Sequence, residues 1–139
     1  MQTQRLAQIM QERGVRRTPQ RLAVWRLFAE EPGLTIREAV RALEPAGIGQ
    51  ATVYRSVKAL EGAGLLLGFP APRGELRYAA VLDHVHLLVC ERCGAVRRLH
   101  ECRLGGYEAE VEQKTGYRVR GHTLVVYGLC PRCREGGEP

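Results

Sequence analysis

Apolar side chains recur three and four positions apart through the first sixty residues; beyond that they fall into short blocks separated by Gly and Pro. The first spacing predicts amphipathic helices and the second predicts strands. Leu6, Ile9 and Met10 form the inner stripe of an opening helix, which Thr3 can cap and Gly14 can end with a positive φ. After the basic link Val15-Arg16-Arg17, Thr18 caps a second helix with Pro19 at its first position, where a missing N–H costs nothing. Leu22, Trp25, Leu27 and Phe28 supply its buried stripe. Thr35 with Glu38 three residues on makes a capping box for a third helix carrying Ile36, Ala39, Val40 and Leu43, which residues 45–49 terminate. A fourth helix is expected over residues 50–61. Val53, Val57 and Leu60 are its inner face, while Thr52, Tyr54, Arg55 and Lys58 project elsewhere.

The apolar blocks 65–69 and 76–80, joined by Pro70-Ala71-Pro72-Arg73-Gly74, read as a β-hairpin. Helices followed by such a hairpin are the order of a winged helix-turn-helix, whose recognition helix enters a DNA major groove. In the second half, residues 81–89 are strand-rich, 94–99 can return as their partner, 107–115 suit a helix ended by Gly116, and 117–129 are extended again. The expected fold class is therefore α+β, with a winged-helix domain over residues 1–78 and a small α/β domain over residues 79–139. About sixty residues bury too little apolar surface for much independent stability, so a metal staple or an oligomer interface is expected there.

Composition agrees with a globular chain and adds a partner class. Of 139 residues, 45% are hydrophobic and 26% charged, which excludes disorder as the main state. No apolar run approaches the ~20 residues a membrane-spanning helix needs, and the polar start has no leader-like pattern, so no membrane partner and a cytoplasmic location are expected. The net charge of +6 is uneven: residues 1–77 hold 12 basic and 7 acidic side chains, and residues 78–139 hold 9 and 8. A positive first half points to a polyanion, most often nucleic acid, although charge kept for solubility would give the same composition.

Four of the five cysteines form two C-x-x-C pairs, Cys90/Cys93 and Cys130/Cys133, separated by 36 residues. Two such knuckles match a tetrahedral, closed and therefore structural zinc site. A redox dithiol is the rival reading, weakened because one pair follows a strand rather than opening a helix. Cys102 is left over as a free thiol. His84 and His86, two apart on a predicted strand, share a face, and with His122 they can form a three-imidazole site for Zn2+, Fe2+, Ni2+ or Mn2+. Ser56 is the only serine and Asp83 the only aspartate, and no nucleophile–base set is visible, so no enzyme is expected.

Together these residues resemble the ferric uptake regulator family of metal-dependent repressors. The matching pieces are Arg17-Thr18-Pro19-Gln20-Arg21, the helix Ala51-Thr52-Val53-Tyr54-Arg55, His84-x-His86 ahead of Cys90-x-x-Cys93-Gly94, and Gly121-His122 through Tyr127-Gly128-Leu129-Cys130. They span nearly the whole chain. The resemblance implies a homodimer that binds double-stranded, palindromic, AT-rich operators once a regulatory metal is bound. It implies DNA contacts from Arg16, Arg17, Gln20, Arg21, Thr52, Tyr54, Arg55 and Lys58. Tyr54 and Arg55 would lie in the major groove, and Arg16 would reach the narrow, negative minor groove that suits a guanidinium. Cys90, Cys93, Cys130 and Cys133 match the family's structural zinc.

Two departures bear on the metal sensed. The family's inter-domain regulatory site usually takes a histidine from the DNA-binding domain and two more at the positions of Val85 and Leu87, and this chain has no histidine before His84. What remains is the family's second site, matched by His84, His86 and His122. Its usual glutamate falls near Gly105, leaving Glu101 or Glu108 as the nearest carboxylates, with Glu101 the expected fourth ligand of a regulatory Zn2+ or Fe2+. A constitutive regulator, a peroxide-responsive one and a non-DNA zinc-ribbon module are the alternatives. Peroxide sensing ranks low, since the family's peroxide sensors use an aspartate-rich ferrous site.

Overall fold

The structure, a computed structural model, describes residues 2–136, without the side chains of residues 2 and 3, so the expected Thr3 cap lies outside the described residues. The chain divides into two compact units, Met1–Asp83 and His84–Pro139. The division comes later than the expected 78/79 boundary because the second strand of the hairpin runs on to Ala80, and Val81 N–H donates to the Leu65 carbonyl.

The first unit contains α1 (Gln2–Glu12), α2 (Pro19–Glu30), α3 (Ile36–Leu43), a 3₁₀ turn (Glu44–Ala46), α4 (Gln50–Gly62), β1 (Leu66–Pro70) and β2 (Leu76–Ala80). The local signals act as expected. Thr18 Oγ1 accepts from Arg21 N–H at 3.1 Å, and Thr35 and Glu38 exchange 3.1 and 2.9 Å hydrogen bonds. Gly14 takes φ +71° after α1, a region costly for any residue with a Cβ. β1 and β2 pair antiparallel with Leu66 opposite Ala80, and Leu34 bridges to Tyr78. That is a winged helix. Its core joins Leu6, Ile9 and Met10 of α1 to Val24, Trp25 and Phe28 of α2, Ala39 and Leu43 of α3, and Val53, Val57 and Leu60 of α4. Leu22 and Leu27, expected in the α2 stripe, are only half-buried, and Val24 takes the central place. Trp25 Nε1–H donates to the buried Leu65 carbonyl at 3.0 Å, fixing the start of the wing to α2.

The second unit contains β3 (His86–Cys90), β4 (Val96–Leu99), α5 (Gly105–Thr115), β5 (Val125–Gly128) and α6 (Pro131–Gly136). The sheet order is β4-β3-β5, with β3 antiparallel to β4 and parallel to β5. A parallel neighbour needs a long crossover, which α5 and the segment after it provide. The strands are shorter than the hydrophobic runs predict: residues 81–85 and 117–124 lie outside any strand. Among the described residues no helix is long and apolar enough to cross a membrane.

Candidate metal centres and nucleic-acid interface

The parallel pairing of β3 with β5 builds two clusters, one at each end of the strands. Its register sets Cys90 opposite Gly128, two residues before Cys130, so the cysteine knuckles meet where both strands end. In the first knuckle Gly94 takes φ +79° and its N–H closes onto the Cys90 carbonyl at 3.0 Å; in the second, Arg134 N–H closes onto the Cys130 carbonyl at 2.8 Å. Cys93 Sγ and Cys130 Sγ are 3.7 Å apart, and all four sulfurs lie within 4.8 Å of one another. A zinc ion with ~2.3 Å bonds to four sulfurs in a tetrahedron needs S–S edges of ~3.8 Å, so the donor set fits zinc.

Electrostatics prepare that group for a cation. The N–H groups of Cys130 and then Cys93 donate to Cys90 Sγ, each at 3.4 Å, and pull its thiol down to about 5. The Cys133 N–H similarly lowers Cys130. Burial pushes Cys133 the other way, to about 12, making it the last to ionise unless a metal takes the place of its proton.

At the other end, His86 begins β3, His84 lies two residues earlier in a bend, and His122 lies three residues before β5. The strand expected to carry His84 does not form, yet the rings converge. The three Nε2–Nε2 distances are 3.1, 3.0 and 3.0 Å. Glu108, on the first turn of α5, accepts from His122 Nδ1–H at 2.7 Å. That bond places the ring proton on Nδ1 and leaves the Nε2 lone pair facing the cluster, the usual outer-shell arrangement of a metal-bound imidazole. Burial, then the neighbouring His84 and His122, hold His86 below the ordinary imidazole range, so its ring stays neutral with a lone pair to give.

Glu101, the expected fourth ligand, is not among the residues the structure brings together. Its Oε2 faces Arg103 Nη2 at 3.5 Å and its side chain is 84% exposed, so it stands outside the cluster. Residues 100–104 form no helix or strand. It is Cys102, itself an exposed residue, whose Sγ faces the cluster, 3.3 Å from His122 Nε2. Cys102, His84, His86 and His122 form a second four-donor group within 4.8 Å. The signal in the sequence was a thiol three residues from the position where the resembled site carries its glutamate. His100, the remaining histidine, is exposed and belongs to neither group.

In the first unit, Val53, Ser56, Val57 and Leu60 bury one face of α4, while Tyr54, Arg55 and Lys58 are exposed. Arg55 Nη2 leans on Thr52 Oγ1 at 3.3 Å, and Lys58 lies 3.8 Å from Glu61. Arg13, Arg16 and Arg21 line a hollow of about 460 Å³ between the α1–α2 link and the end of α4. Arg21 Nη1–H donates to the Arg16 carbonyl at 2.8 Å and so holds that link in place. Arg17 and Gln20 are exposed beside the link but do not line the hollow.

Comparison with known proteins bears on both units. A sequence profile of the ferric uptake regulator family matches residues 12–127. The ferric uptake regulation protein of Neisseria gonorrhoeae is 31% identical over 134 residues, covering 93% of each chain. The zinc uptake regulation protein of Mycobacterium tuberculosis is 32% identical over 130 residues, covering 91% of this chain and all of its own. Among solved structures, a zinc uptake regulator complexed with zinc and DNA superposes with a TM-score of 0.73 at 27% identity, covering 94% of this chain and 91% of that one. With a winged helix, a four-thiol group and a family profile spanning most of its length, the chain belongs to the ferric uptake regulator family of metal-dependent transcription regulators.

Proposed function

We propose that the protein is a repressor that binds a palindromic operator as a homodimer. In this reading the four cysteines hold a permanent zinc, and the cluster of His84, His86 and His122 is the regulatory metal site. One observation carries it. The unit that presents Tyr54 and Arg55 to solvent ends at Asp83, and the first two imidazoles of a convergent metal-ligating group follow at once. Metal that fixes His84 and His86 therefore fixes the chain where it leaves the winged helix. The bound arrangement is favoured only by the metal's differential affinity for it. Thr52, Tyr54, Arg55 and Lys58 are assigned to the major groove, and Arg16, Arg17, Gln20 and Arg21 to the phosphates and minor groove.

Self-association has its own support. Of the seven large exposed apolar side chains among the described residues, Tyr107, Tyr117, Val126, Tyr127 and Leu129 lie in the second unit, and α5 buries none of its residues within one chain. A surface of that kind calls for a partner, and a second copy presents the same surface with two-fold symmetry.

The test is fluorescence anisotropy on a duplex carrying the palindrome recovered by selection from a random library with zinc-loaded protein. Added metal is expected to tighten binding by ~5- to 150-fold, the usual size of an allosteric coupling. The double variant His84→Ala, His86→Ala should bind only with the weaker, metal-free affinity and lose the metal response, while Tyr54→Ala and Arg55→Ala weaken binding with or without metal; full operator affinity retained in the histidine variant would favour a constitutive regulator. Metal-independent affinity in the wild type removes the regulatory reading, and unchanged affinity in both α4 variants removes the DNA-binding one.

A further inference from the structure

Three imidazoles leave the second cluster one donor short of a closed site, and the structure offers a sulfur rather than an oxygen. Glu101 is turned to Arg103, and Glu108 is engaged on the far side of the His122 ring. Among the described residues Cys102 Sγ is the further donor atom grouped with the three Nε2 atoms, 3.3 Å from that of His122. With the His122 ring proton held at Nδ1 by Glu108, its Nε2 is a bare lone pair. A cation at the centre gives this lone pair, the other imidazole lone pairs and the sulfur one common partner. We infer that Cys102 is the fourth ligand, as a thiolate, and that the regulatory centre is a closed three-histidine, one-cysteine site built for zinc. This rests on the reading of His84, His86 and His122 as a metal centre.

The dimensions agree. Tetrahedral zinc with ~2.0–2.1 Å bonds to nitrogen and ~2.3 Å to sulfur needs N–N edges of ~3.3 Å and N–S edges of ~3.6 Å. The observed 3.0–3.1 Å and 3.3 Å need each donor to withdraw by about 0.3 Å or less. Binding breaks the Cys102 S–H bond: the sulfur keeps the electron pair as the metal–sulfur bond forms, and the proton passes to solvent. A thiolate among imidazoles favours zinc and cobalt over manganese, which prefers oxygen donors. The site also ties three separate segments together, namely the start of β3, the β4–α5 loop and the approach to β5. A carboxylate ligand at Glu101 would admit manganese; the thiolate disfavours it.

Cobalt reports the sulfur directly. Protein whose four-cysteine group retains its zinc, verified by elemental analysis, is titrated with Co2+ as wild type, Cys102→Ser and His84→Ala. Wild type should bind one further equivalent, with the strong visible bands of a tetrahedral ion and a near-ultraviolet sulfur-to-cobalt charge-transfer band, and Zn2+ should displace it while Mn2+ does not. Cys102→Ser should lose the charge-transfer band and bind at least ~10-fold more weakly, no less than the loss of an outer-shell partner costs. His84→Ala should bind more weakly too. An unchanged band and affinity in Cys102→Ser, with binding still lost in His84→Ala, overturns the thiolate assignment and leaves the histidine centre standing. Binding unaffected by His84→Ala, or no further equivalent in wild type, overturns the centre and the assignment together.

Discussion

Glu108 touches no metal-facing atom, yet its removal should weaken the metal site. Its Oε2 lies 2.7 Å from His122 Nδ1, a short contact of the charge-assisted kind, and the two side chains are 30% and 19% exposed, so solvent screens the pair only in part. The carboxylate fixes the tautomer that points a lone pair into the cluster, fixes the ring plane, and strengthens the imidazole as a donor. Glu108→Ala removes all three effects. Outer-shell partners of this kind are worth ~10- to 100-fold in metal affinity, about 1.4–2.7 kcal/mol. Glu108→Gln, whose amide oxygen can still accept the Nδ1 proton, should fall between wild type and alanine. The assay is competition for Zn2+ against a chromophoric chelator, with the four-cysteine zinc counted separately by elemental analysis. Affinity of the alanine variant within twofold of wild type would show that the contact orders the ring without tuning the metal, and the reasoning would fail.

Two predictions concern the winged helix. Trp25→Phe deletes the 3.0 Å buried bond to the Leu65 carbonyl and leaves a void where the second ring was; because that carbonyl keeps the Val81 N–H, the cost should be about 1–3 kcal/mol in a urea melt of the first transition, and an unshifted midpoint would contradict it. The Thr35 backbone N–H, and then the Arg77 charge, hold the Glu38 carboxyl below its ordinary 4.5, so its contribution is fully present above about pH 4.5 and lost as pH falls through the lower folded value. The difference in unfolding midpoint between wild type and Glu38→Gln should therefore shrink on acidification, and a difference constant from pH 7 to pH 3 would refute it.

The first unit was legible because its signals are local. A cap, a proline at N1 and a 3.6-residue stripe each act within one helix, so Thr18, Thr35 and the inner face of α4 could be placed from residue type alone. Burial within a stripe was less legible: Val24 outranks Leu22 because the wing, joined to α2 through Trp25 and Leu65, selects which side of that helix is deepest. In the second unit the cysteine spacing located one cluster, since each knuckle is a short-range motif. The histidine cluster was expected from residue type and from the resemblance, but its convergence rests on the β3–β5 register, which brings His86 and His122 together across 36 residues and which no local pattern encodes. The fourth donor is subject to the same limit. In an irregular loop, whether residue 101 or residue 102 faces the cluster follows from the ends of β4 and α5, which residue type alone does not give.

The two units also differ in what holds them together. In the first unit a continuous apolar core reaches every helix and the wing. In the second, His86, Leu87, Val89 and Cys90 are the only buried residues among those described, all on one strand, and two of them belong to the donor groups. So small an apolar interior cannot offset the ordering of some fifty residues. On the proposed reading, metal at the two groups of four donors, at opposite ends of β3 about 13 Å apart for a five-residue strand, supplies, with the dimer interface, much of what the core does not. Metal binding and the ordering of this unit then become one equilibrium. A winged helix with its own core stays folded in either state, while the unit that depends on donor groups responds steeply to the metal. A chelator should accordingly abolish the unfolding transition of the second unit and leave that of the first in place, and one shared transition lost as a whole would show that the division of labour is wrong.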